Sequence, residues 1–220
     1  MDAGGSVEAP RADGGAAPVP AGLRAFVLRT LALLVPAFAV WYFAAPILVA
    51  PAVLLVRLVA ALGLGNLVQS VEQSASGVTF VTTLRAASPG IAGAVTVDVN
   101  TLLYTFGWPL FAALTIAARA SHRRRHLAIG YAVTLPFVAW GVIADLLKNV
   151  AITSGPALAA QTGFAAWQRE AIAFAYQFGS LILPAVVPAV LWVAMHAAFV
   201  ARLRREKQGR ALLFRDASDT

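Results

Sequence analysis

Between two long apolar runs the chain carries Arg119-Ala-Ser-His-Arg-Arg-Arg-His126, a cluster that hydrocarbon cannot accommodate. It forces a break between membrane segments, and Lys and Arg beside span ends bias a loop toward the cytoplasm. Two more basic marks bracket the apolar part. Arg24 and Arg29 introduce the first run, and Arg202, Arg204, Arg205, Lys207 and Arg210 follow the last. Of the 220 residues 60% are hydrophobic and 12% charged, where a soluble domain carries about a quarter charged. The chain therefore reads as a mainly α, polytopic membrane protein.

A membrane helix needs about 20 mainly apolar residues. Four stretches serve: 25–45, closed by Pro46; 101–118, slightly short; 127–147; and 171–200. The last is longer than a bilayer needs, so it is tilted or bent. Pro184 and Pro188, which lack the amide donor, place the bend. Tyr104, Phe106 and Trp108 are spaced for an interfacial aromatic belt. Segment 47–64 is apolar enough for a fifth crossing, but parity decides against it. If it crossed, the Arg24/Arg29 end and the Arg119–His126 loop would lie on opposite sides. Pro51 can open a helix there, Arg57 is central, and Gly63 and Gly65 can close it. The expectation is a helix lying flat on the outer leaflet, with Arg57 snorkelling to the headgroups.

On this topology both termini face the cytoplasm. The membrane domain covers 24–205, between a disordered tail at 1–23, rich in Gly, Ala and Pro, and a C-terminal tail at 206–220. Ala37-Phe-Ala39 has the look of a signal-peptidase site, but apolar residues continue through Trp41–Ala45, which favours an uncleaved anchor. Sorting charge by side removes nucleic acid as a partner. The net +7 falls entirely on the cytoplasmic parts, with 13 basic and 6 acidic residues, while the outer parts hold four of each sign. Insertion bias accounts for that asymmetry, and anionic membrane lipid would add to it.

Residues 67–100 change pattern. Val78, Phe80, Thr82 and Leu84 alternate with Thr79, Val81 and Thr83, and Val95, Val97 and Val99 with Thr96 and Asp98. Period two with β-branched residues predicts strands, joined by turns at 74–77 and 88–93. A two- or three-stranded antiparallel sheet of this size is unstable alone. It has to pack on the 47–64 helix, on lipid or on a partner.

Few residues carry chemistry. Asp145 and Lys148, three apart, present opposite charges on one helix face, with Asn149 beside them. They form an ion or substrate site, or else an interfacial pair whose lysine snorkels. Tyr176, Gln177 and Ser180 are the polar groups of the fourth stretch. Gln177 and Ser180 share a face from which to hydrogen-bond a neighbouring helix. Ser180 and His196 lie about 24 Å apart along one helix, which argues against a serine–histidine hydrolase. There is no cysteine, hence no thiolate catalysis or cysteine metal site. Three scattered histidines suggest no metal site, and no phosphate-binding glycine loop is present. No cofactor and no catalytic residue is expected.

Two segments carry a resemblance: Asp98-Val-Asn-Thr-Leu-Leu-Tyr-Thr-Phe-Gly-Trp-Pro-Leu-Phe-Ala-Ala-Leu114 and Tyr176-Gln-Phe-Gly-Ser-Leu-Ile-Leu-Pro-Ala-Val-Val-Pro-Ala-Val-Leu-Trp192. With the layout of one anchor, an outer segment and three further spans, the chain resembles the exosortase H-associated membrane proteins over about residues 24–205. The resemblance implies a companion of a bacterial protein-sorting enzyme. Exosortases are cysteine transpeptidase-like membrane proteins acting on C-terminal sorting signals, so a chain without cysteine is not the enzyme itself. The reading is a non-enzymatic accessory that contacts the sorting enzyme or its substrate. The alternative is a small permease or lipid-handling subunit using Asp145, Lys148 and Asn149.

Overall fold

The computed structural model describes residues 21–85, 93–119, 122–203 and 205. The expected tails up to residue 20 and at 206–220, the turn before Gly93, and Arg204, Lys207 and Arg210 lie outside the described residues. Among the described residues three helices are long and apolar enough to cross a bilayer, Gly22–Gly63, Arg123–Thr153 and Ala166–Met195, and Leu102–Ala117 is a shorter apolar one. With a three-stranded antiparallel sheet, this is the expected mainly α membrane class.

Helix α1 (Ala21–Gly63) is a single helix of 43 residues. At 1.5 Å per residue it is about 65 Å long, roughly twice the bilayer core. The expected stop at Pro46 does not occur, so 25–45 and 47–64 are one element and residues 21–23 are helical. Each of Pro36, Pro46 and Pro51 removes a ladder bond, and two side chains from outside the helix bond carbonyls close to the last two, as in membrane helices that tolerate proline. The Tyr131 hydroxyl donates to Leu48 O at 2.6 Å, three residues before Pro51. The Gln73 side-chain amide donates to Pro46 O at 2.7 Å. Beyond Pro46 the helix is amphipathic. Val49, Val53, Val56 and Ala60 are buried at helical spacing, while Leu54, Leu58 and Leu62 are exposed.

The buried stripe of α1 supports the sheet. Strands β1 (Val68–Ser74), β2 (Gly77–Arg85) and β3 (Ala94–Asn100) lie in the order β1-β2-β3. Val78, Phe80 and Leu84 of β2 and Val97 and Val99 of β3 point inward. They share one core with the α1 stripe and with Val138, Val142, Leu146 and Val150. The 47–64 segment is thus the support the sheet required. The β1–β2 hairpin turns at Ala75 and Ser76, with Ala75 in the left-handed region at φ 44°, inside the expected 74–77 turn.

Helices α2 (Leu102–Thr105) and α3 (Gly107–Ala117) lead to α4 (Arg123–Lys148). Arg123–His126 are therefore the first turn of α4 rather than loop. A π turn, Asn149–Thr153, extends α4, and α5 (Pro156–Gln161) follows Gly155 at φ 91°. Helix α6 (Ala166–Gln177) passes through a second π turn, Phe178–Ile182, into α7 (Leu183–Met195). The irregular turn of the fourth stretch thus directly precedes Pro184, whose missing amide interrupts the ladder there, and Pro188 sits inside α7.

Glycines set the helix contacts. A Cβ on Gly107 would stand 2.0 Å from Pro184 O of α7, one on Gly130 2.3 Å from the Phe111 ring, and one on Gly141 2.3 Å from the Tyr104 ring. Small residues at such seams let helices close without a hydrophobic driving force. Aromatic donors bind the same seams. Trp41 Nε1 donates to Thr105 Oγ1, Trp108 Nε1 to Thr134 Oγ1, and Trp140 Nε1 to Ala175 O. Tyr104 and Trp108 therefore face the bundle rather than forming the expected interfacial belt; a wall of glycines and threonines accepts their rings. The outward surface is instead aliphatic and Phe-rich, with Phe43 81% exposed and Leu181 71%, as lipid contact requires.

Candidate functional site

At the end of the bundle that carries the sheet, α4 closes on a polar cluster. Lys148 Nζ lies 2.9 Å from Asp145 Oδ1, and Asn149 Nδ2 donates both to that oxygen at 3.0 Å and to Asp145 O at 2.9 Å. The spacing of three brings the charges together, as a helix dictates. Asn149 also opens the π turn, so the widening coincides with a side chain that bonds the turn before it. Tyr176 of α6 completes the cluster, its ring 4.2 Å from Lys148 Nζ, a cation–π contact. Asp145 is 9% exposed. Its carboxylate is balanced by a cation and an amide, and the cation in turn by an aromatic face, the arrangement that makes ionisable groups tolerable near hydrocarbon. Among the described residues the Tyr104 hydroxyl is buried without a hydrogen-bond partner.

The remaining polar residues of the fourth stretch separate from this cluster. Ser180 donates to Tyr176 O at 2.8 Å, a bond one turn back within its own helix. Gln177 is exposed. Of the six residues singled out in the sequence, Asp145, Lys148, Asn149 and Tyr176 come together. Gln177 and Ser180 do not join them.

The outward face of the sheet is the second candidate surface. The register places Glu72 opposite Thr79 and Thr79 opposite Asp98, one polar row across three strands. Thr79 Oγ1 donates to Asp98 Oδ1, and Glu72 and Asp98 are exposed. The sheet is anchored on several sides. Arg57 Nε donates to Val71 O at 3.1 Å. Arg85 and Gln161 exchange two bonds, Arg85 N to Gln161 Oε1 and Gln161 Nε2 to Arg85 O, each 3.0 Å.

Two histidines meet at the opposite end. His126 Nδ1 and His196 Nε2 are 3.3 Å apart, and His196 Nδ1 is 3.0 Å from Trp192 O. Because a carbonyl only accepts, His196 Nδ1 carries the proton, Nε2 accepts, and His126 Nδ1 donates to it. This pair was not visible in the chain, since 70 residues separate its members and each is alone in its own helix. Phe26 stacks on Trp192 at the same end, 5.7 Å between ring centres. The starts of α1 and α4 and the end of α7 are thus gathered together, with their arginines.

Residues 20–199 match the family described as exosortase H-associated membrane protein. The search of curated proteins and the search of solved structures find no match.

Proposed function

Since the chain belongs to the exosortase H-associated membrane protein family, we propose that it is a non-enzymatic inner-membrane accessory that presents its sheet to the sorting enzyme or to that enzyme's substrate. The observation that carries this reading is the sheet itself. Its inner face is locked onto α1 and α4 through Phe80, Val78 and Val99, while its outer row of Glu72, Thr79 and Asp98 faces away from the bundle. A rigid platform fixed to spanning helices loses little ordering entropy on binding. Two acidic residues on it favour a partner surface that is basic or rich in donors.

The proposed orientation puts the gathered arginine end in the cytoplasm and the sheet on the outer side. The gathering of the α1 and α4 starts with the α7 end supports it, because one side then holds every basic mark. The part of α1 beyond Pro46 then carries the sheet on the outer side, where exposed Arg57 holds Val71 O. Asp145, Lys148, Asn149 and Tyr176 are read as a structural clasp between α4 and α6.

The test is affinity purification of the full-length protein from native membranes. The sorting enzyme co-purifies with the native chain, and its recovery falls roughly tenfold with Glu72→Lys plus Asp98→Lys, the size of effect that opposed interfacial charges produce. Unchanged recovery with the reversed charges overturns the role of this face.

A further inference from the structure

A groove of about 420 Å³ runs between α1, α3 and α4, within the range of roughly 300–1,000 Å³ typical of ligand clefts. Its walls include Leu33, Pro36, Trp41, Trp108, Ile116 and Leu127. Three polar aromatic groups line it, and each is already occupied: Trp41 Nε1 by Thr105, Trp108 Nε1 by Thr134, and the Tyr131 hydroxyl by Leu48 O. The groove therefore offers an occupant carbon surface and no free donor, which selects for hydrocarbon over a polar ligand.

Its shape narrows the choice. Along α1 it reaches from Leu33 to Leu48, about 22 Å at the helical rise. A run of that length, apolar throughout and open between membrane-spanning helices, suits an extended acyl chain.

The mouth supplies the charge. Arg29 stands four residues before Leu33 on the same face of α1, and Arg123 four before Leu127 on α4. Arg119 stands three residues after Ile116, just past the end of α3, its amide bonded to Ile116 O at 3.1 Å. All three arginines are exposed, two on α1 and α4 and one just beyond α3, the elements that build the groove. We propose that the groove seats one acyl chain of an anionic phospholipid whose headgroup is held by Arg29, Arg119 and Arg123. The inference is independent of the sorting partner.

The test reconstitutes the full chain in nanodiscs with phosphatidylglycerol or phosphatidylcholine carrying a photoactivatable group midway along one acyl chain. Cross-linked peptides are then mapped by mass spectrometry. With phosphatidylglycerol, label concentrates on groove residues such as Ala37, Ala112 and Ile116. Each of Arg29→Gln, Arg119→Gln and Arg123→Gln lowers the preference over phosphatidylcholine about fivefold. These exposed positions leave folding intact, and Ala112→Trp, which fills the groove, removes the groove label while the lipid-facing side of α6 and α7 stays labelled. Label spread evenly over all lipid-facing surfaces, or equal for the two headgroups, overturns the proposal.

Discussion

At Gly107 the missing Cβ matters because Pro184 O occupies the space, and a backbone oxygen cannot rotate away. Gly107→Ala should separate α3 from α7 and cost about 1–3 kcal/mol, the usual range for overpacking. Gly141→Ala should cost a similar amount by displacing the Tyr104 ring. Gly63→Ala, which meets nothing within 4 Å, should change stability by less than about 1 kcal/mol. Thermal unfolding of the three variants in one detergent checks the order. The Asp145 clasp gives a second comparison. Asp145→Asn keeps an acceptor for Asn149 but leaves Lys148 without its counter-charge. The expected result is a loss of about 1–3 kcal/mol with partner recovery retained, whereas a permease or lipid-handling subunit would lose transport with folding intact. Three of the four residues of this clasp were legible as a group in the chain, since Asp145, Lys148 and Asn149 lie within one turn. Tyr176 was recognised only as polar, because its place over Lys148 depends on how α6 packs, which no local spacing encodes. The His126–His196 pair was hidden for the same reason.

At the level of elements, β2 and β3 were readable because alternation of β-branched residues is a local signal. Strand β1 was harder. Val68-Gln-Ser-Val-Glu-Gln-Ser74 has only two apolar residues, and its pairing comes from the hairpin. The α1 helix misled because Pro46 is a strong local stop signal and Pro51 a local start, whereas the groups that bond the carbonyls there, Gln73 and Tyr131, are remote in sequence. Tyr131→Phe should accordingly loosen α1 near Pro51, which faster amide hydrogen exchange at 50–55 would report. The β1–β2 turn holds Ala75 at positive φ, where an L side chain costs about 1–2 kcal/mol. Ala75→Gly should therefore raise stability, by about 0.5–1 kcal/mol after the glycine's own entropy cost. Phe80 is fully buried in the core shared by sheet, α1 and α4. Phe80→Ala should cost about 3–5 kcal/mol and detach the sheet from its support. Deleting 67–100 as a block would strip that core, so point changes on the outer face are the cleaner probe.

For the whole molecule, the arginine clusters and the sheet mark opposite ends of one bundle, and the chain belongs to the exosortase H-associated membrane proteins. The mainly α membrane class and a small antiparallel sheet followed from composition and periodicity. The depth at which each segment sits could not, since it depends on how a helix about twice the bilayer thickness is accommodated. The central claim is that the outward row of the sheet is the surface engaged by the sorting enzyme or its substrate. The most direct measurement is site-specific photocross-linking in native membranes from residues 72 and 98, compared with residue 181 on the lipid-facing side of the bundle. The account expects cross-links to the sorting enzyme or its substrate from 72 and 98 and none from 181. Cross-links from 181 alone, or from none of the three while the enzyme still co-purifies, would contradict it.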